Sequence, residues 1–115
     1  MKFILPYPPS CNRYWRVPKS LGRPIMSAEA RTYKATAGME AMRQGARPME
    51  GPLRVSVDFF CPQRSGDLDN FWKVASDSLN GVAWRDDSQV VEIHLRRFDD
   101  KDRPRLEVEI LPAKI

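Results

Sequence analysis

The sequence predicts an α+β fold in a single domain spanning residues 1–115, with elements in the order β-α-β-α-β-β and a mixed sheet of about four strands packed with two helices. Three observations carry this. Apolar residues alternate with polar ones around 53–59, 91–96 and 106–110, the period of a strand with one buried face. Apolar or small residues recur at three- and four-residue steps across 28–43 and 70–80, the period of a helix. The chain is 115 residues long, which is room for one hydrophobic core and too short for two.

The elements follow in order. Phe3, Ile4 and Leu5 form an apolar run stopped by Pro6, Pro8 and Pro9, so residues 2–6 read as a strand. Residues 7–26 carry Pro8, Pro9, Pro18, Gly22 and Pro24, too many breakers for a helix, and read as a long loop. Ser27 caps a helix beginning at Ala28, with Glu29 in its first turn. That helix runs to Arg43 and ends at Gly45 and Pro48. Ala30, Tyr33, Ala37 and Ala41 give it a narrow face of mostly small side chains that permits close packing, including packing on a partner chain. Leu53, Val55, Val57 and Phe59 make a strand that stops by Pro62. A second helix over 70–80 presents Phe71, Ala75 and Leu79, takes Asp67 or Asp69 as its cap and ends at Gly81. After a turn at 84–87, strands at 91–96 and 106–110 are close enough in sequence to pair as a hairpin. Their connection, 98–105, is a charged, exposed loop.

Composition excludes several classes. Apolar residues at 42% and eleven aromatic side chains exclude a disordered chain. No apolar run reaches the roughly 18 residues of a membrane span, and the first residues lack a secretory signal, so the expected location is the cytoplasm. Two distant cysteines, Cys11 and Cys61, and the single His94 suggest neither a disulfide framework nor a zinc site. Charge is uneven along the chain. Residues 1–50 hold nine Lys or Arg against three acids, whereas 51–115 hold ten against twelve. A basic segment for phosphates beside acids for a cation suits an enzyme of polyanions, although a plain basic surface has the same composition.

The chemistry concentrates at Gly66-Asp67-Leu68-Asp69-Asn70-Phe71-Trp72-Lys73. Carboxylates two residues apart face one side of an extended backbone, and Lys73 lies one helical turn beyond Asp69. Asp86 and Asp87 sit in the turn that returns from the second helix. Mg²⁺ and similar hard cations favour such oxygen donors and require neither histidine nor cysteine. The set reads as a metal-dependent phosphodiesterase; it also reads as helix caps with an Asp69–Lys73 surface ion pair. Arg13, Tyr14, Trp15 and Arg16 alternate charge with aromatic faces, which suits phosphate contact and base stacking as well as docking of the loop on the core. Trp72 and Trp84 read as packing residues, and His94 as a surface residue.

Leu5-Pro6-Tyr7-Pro8-Pro9-Ser10-Cys11-Asn12-Arg13-Tyr14-Trp15-Arg16, the Ser27-Ala28-Glu29 helix start, Asp67-Leu68-Asp69-Asn70 with Lys73, and Trp84-Arg85-Asp86-Asp87-Ser88-Gln89-Val90-Val91 together resemble RusA-type Holliday junction resolvases. The resemblance covers nearly the whole chain in order. It implies a homodimeric, Mg²⁺- or Mn²⁺-dependent endonuclease that cuts four-way DNA junctions by paired nicks, of a type often carried by bacteriophages and prophages. It implies metal binding by Asp67, Asp69 and Asp87 and catalysis by these three with Lys73; from the charged and aromatic loop, Asn12, Arg13, Tyr14, Trp15 and Arg16 are the expected DNA contacts. Two departures stand out: Arg64-Ser65-Gly66 replaces a run of arginines before the first aspartate, and Cys11 falls where an asparagine occurs. A DNA-binding accessory protein without cleavage, and a nuclease acting on flaps or other branches, are the competing readings.

Overall fold

The computed structural model describes residues 1–9, 15–16, 20, 22, 25–64 and 66–114. Strands are β1 (Lys2–Pro6), β2 (Trp15–Arg16), β3 (Ile25–Met26), β4 (Leu53–Cys61), β5 (Val90–Asp99) and β6 (Arg105–Pro112). The helices are α1 (Ala28–Arg43) and α2 (Leu68–Leu79), with a 3-10 turn at Asp87–Gln89 before β5. The four-stranded sheet runs β1-β6-β4-β5, with β5 parallel to β4 and the other pairings antiparallel. The expected mixed sheet with two helices is present. Within the region read as a loop, β2 and β3 pair as a small antiparallel ribbon, Trp15 opposite Met26.

Both helices lie against one face of this sheet. Leu53, Val55, Val57, Phe59 and Cys61 of β4 all point inward and are fully buried. They meet Phe3 and Leu5 of β1 and Leu106, Val108 and Ile110 of β6. From the helices come Ala30, Tyr33, Ala37 and Ala41, and Phe71, Val74, Ala75 and Leu79. Burial of each large side chain among them stabilises the fold by about 1.5–3 kcal/mol. The Ser27 hydroxyl accepts the Ala30 N–H at 3.1 Å, so α1 starts where the sequence places its cap. Its small-residue face is fully used inside the core and is not offered to a partner chain.

A helix boundary and a strand pairing differ from the sequence reading, and β5 and β6 run beyond the predicted 91–96 and 106–110. Helix α2 begins at Leu68 rather than 70, because Leu68 packs against the core and Asp67 is the last extended residue (φ −102°, ψ 140°). The expected hairpin of β5 with β6 does not form: β4 lies between them. Burial explains the order. Strand β6 has three inward residues that need neighbours on both sides, whereas β5 leaves Val91 and Ile93 exposed and takes the edge. The chain crosses the end of β4 through the charged segment after Asp99. There the Asp100 N–H donates to the Cys61 carbonyl at 2.8 Å, and the Asp100 carboxylate accepts from the Arg103 N–H and the Arg105 guanidinium. No helix among the described residues is long and apolar enough to cross a membrane.

Candidate active site

The segment after β4 turns into α2 at Gly66, and this turn requires glycine twice over. Its φ is +90°, and a Cβ there would lie 2.7 Å from Cζ of Phe71. The Phe71 ring is itself fixed, stacked on Phe59 at 5.8 Å between centroids and met edge-on by Tyr7 at 5.6 Å. Arg97 reaches over from β5, donates from Nη2 to the Gly66 carbonyl at 2.5 Å and lies 5.7 Å above the Phe71 ring. The backbone that presents Asp67 is thus held by a ring from below and a guanidinium from the side. Burial, then a hydrogen bond and charge from Cys61, push the Tyr7 phenol above its ordinary pKa against the opposing Arg97 charge, so Tyr7 is a neutral hydroxyl.

Asp67 occupies the N-cap position of α2, yet its carboxylate accepts no capping hydrogen bond. Asp69 follows in the first turn and Lys73 one turn on, and all three side chains are exposed. Among the described residues none of them makes an ion pair or side-chain hydrogen bond, so the Asp69–Lys73 ion pair that the sequence allows does not form. These groups are free of structural duty.

Asp86 and Asp87 divide the work of their turn. Asp86 caps the 3-10 turn: its carboxylate accepts from the backbone and hydroxyl of Ser88, while the Gln89 side chain accepts the Asp86 N–H at 3.0 Å. The hydrogen bonds from Ser88 hold the Asp86 carboxyl below the usual carboxylate pKa. Asp87 is exposed, and its Oδ1 accepts the indole N–H of Trp84 at 2.8 Å. Trp84 is fully buried and packs against Trp72 of α2, with ring centroids 6.3 Å apart. The structure therefore collects Asp67, Asp69 and Lys73 at the start of one helix and ties the turn carrying Asp87 to that helix through two tryptophans. It does not close them into a ligand cluster: among the described residues no three His, Cys, Asp or Glu side chains converge on a common metal position.

Of the predicted DNA-contacting residues, Asn12, Arg13 and Tyr14 lie outside the described residues, and Trp15 and Arg16 form the backbone of β2. His94 is exposed and bonds Glu92 at 2.7 Å, as a surface residue does. Arg64, the one arginine retained before Asp67, is paired with Asp99 at 3.0 Å. The sequence reading overlooked Arg97. Its signal was parity: in β5 it follows Ile93 and Leu95 on the helix-facing side, an unusual place for an unneeded charge.

The sequence that carries these motifs also places the chain in a class. Residues 6–111 match the family model described as endodeoxyribonuclease RusA. The chain is 35% identical over 111 residues to the crossover junction endodeoxyribonuclease RusA of Escherichia coli strain K12, covering 92% of this chain and 89% of that protein. Its similarity to the corresponding protein of Shigella sonnei is the same, and to that of Enterobacteria phage 82 it is 32% over 117 residues. The chain belongs to the RusA family of crossover junction endodeoxyribonucleases.

Proposed function

We propose that this chain is a metal-dependent endonuclease that resolves four-way DNA junctions by paired nicks. The observation that carries the reading is the pair of carboxylates, Asp67 and Asp69, that with Lys73 one turn away have no side-chain partner among the described residues, on a turn rigidly held by Phe71 and Arg97. Asp87 adds a third carboxylate whose second oxygen has no protein partner among the described residues. An all-oxygen donor set of this kind fits Mg²⁺ or Mn²⁺. Asp67, Asp69 and Asp87 would hold the cation, which when bound supplies positive charge at the scissile phosphate and a more acidic water. Lys73 stabilises negative charge that develops on the phosphate oxygens. Asn12, Arg13, Tyr14, Trp15 and Arg16 contact the DNA backbone and unpaired bases at the junction centre.

Paired nicks require two sites, and the edge strand β5 supports a homodimer. Val91 and Ile93 remain 48% and 42% exposed there, and the outer backbone edge of the strand has no neighbouring strand among the described residues. Antiparallel pairing of two copies about His94 sets Glu92 opposite Arg96 twice and Ile93 opposite Leu95 twice, a self-complementary register for a two-fold contact.

The test is a gel assay on a synthetic four-way junction, a linear duplex and a flap. The parent chain should cut the junction in Mg²⁺ and leave nicks that DNA ligase reseals. Asp67→Asn, Asp69→Asn and Asp87→Asn should each lose cleavage by roughly 100-fold or more while binding the junction without metal. Parent-rate cutting by all three variants would reject the assigned site, and preferential cutting of the flap would reject the substrate.

A further inference from the structure

We propose that Trp84 is a positioning residue that fixes the carboxylate of Asp87 for cation binding; the inference rests on Asp87 belonging to the metal set. A buried indole needs an acceptor for its single N–H, and backbone carbonyls usually serve. Trp84, the largest fully buried side chain among the described residues, instead donates to an exposed carboxylate three residues further along the chain, at 2.8 Å.

The donor end of this bond is held from several directions. The Trp84 carbonyl accepts the Gly81 N–H at 2.7 Å. Its backbone bridges to Met49 and Asn80, and the Ala83 carbonyl accepts the Met49 N–H at 3.0 Å. Its ring lies against Trp72, which immediately precedes Lys73. The acceptor end is an exposed aspartate whose carboxylate would otherwise rotate freely. One bond thus selects one orientation, keeps Oδ1 engaged and leaves Oδ2 without a protein partner among the described residues. It also gives α2 and the 3-10 turn a shared reference, because the indole that orients Asp87 is packed on the helix that bears Asp69 and Lys73. Partners of metal-binding side chains act in this way, and removing one typically costs about 10- to 100-fold in metal affinity or activity.

The experiment begins on the intact chain. In a ¹⁵N–¹H spectrum the three indole N–H groups give three resonances, and that of Trp84 is assigned by its loss in Trp84→Phe. Titration with Mg²⁺ alone should shift the Trp84 indole resonance saturably, with the midpoint that activates junction cleavage. In Asp87→Asn that shift should be lost. Trp84→Phe should weaken Mg²⁺ binding, read by calorimetry, by about tenfold, with metal-free junction binding kept. Combined with Asp87→Asn it should cost no more than Asp87→Asn alone. A Trp84 indole that stays unmoved while Mg²⁺ saturates cleavage overturns the positioning role and leaves the proposed function standing. An Mg²⁺-dependent shift in a chain that cuts no junction supports the positioning role and rejects the function instead. If Trp84→Phe does not fold, the indole titration of the intact chain and of Asp87→Asn still decides, with Trp84 assigned through its contact to Trp72.

Discussion

Gly66 is the residue on which the geometry of the site turns. With φ at +90° and Phe71 Cζ 2.7 Å from where a Cβ would stand, alanine meets both backbone strain and a ring that Phe59 and Tyr7 prevent from moving aside. Gly66→Ala should therefore destabilise the fold by about 1–3 kcal/mol and displace Asp67. Thermal unfolding reads the first effect and junction cleavage the second; an unchanged midpoint with full cleavage would show that the turn is tolerant. The same locality explains what could be read in advance. Asp67, Asp69 and Lys73 form one contiguous run, so their association with one helix start was visible in the sequence. Arg97 touches Gly66 from 31 positions away, and nothing in the sequence except its parity in β5 marks that contact.

Among the elements, the 3-10 turn between α2 and β5 carries a carboxyl whose pKa is lowered by hydrogen bonds within the turn itself. Asp86 is held below the ordinary carboxylate pKa first by the Ser88 hydroxyl and then by the Ser88 N–H. A depressed pKa stabilises the folded turn at pH values above the unfolded value, about 3.9. That contribution is lost as pH falls through the lower folded value. The Asp86 carboxyl, followed by carbon NMR, should titrate below a free aspartate, and Ser88→Ala should raise its midpoint toward the ordinary range. A midpoint indifferent to Ser88 would remove the hydroxyl as the cause. Element boundaries were legible where a local signal set them, as Ser27 does for α1. The partner of β6 was not: proximity in sequence suggested β5, while the need to bury Leu106, Val108 and Ile110 from both sides placed it between β1 and β4.

For the whole molecule, the two-fold register proposed on β5 makes a charge-swap prediction. Glu92→Lys or Arg96→Glu alone should weaken the dimer by about tenfold or more, since each puts like charges opposite one another twice. Both together should restore much of it. Sedimentation of the three variants beside the parent decides: equal dimer constants, or a parent that stays at 13.3 kDa, would remove β5 as the contact. The sheet order has a further consequence, for synthesis. Among the described residues β1 pairs with β6 alone, with Lys2 opposite Glu109 and Leu5 opposite Leu106. A chain emerging from the ribosome therefore holds Phe3 and Leu5 unpaired until Arg105–Pro112 has been made, and the closing step joins two strands far apart in sequence. Translation stalled before residue 105 would leave both β1 and one side of β4 without their strand, so such fragments should aggregate or be degraded rather than fold.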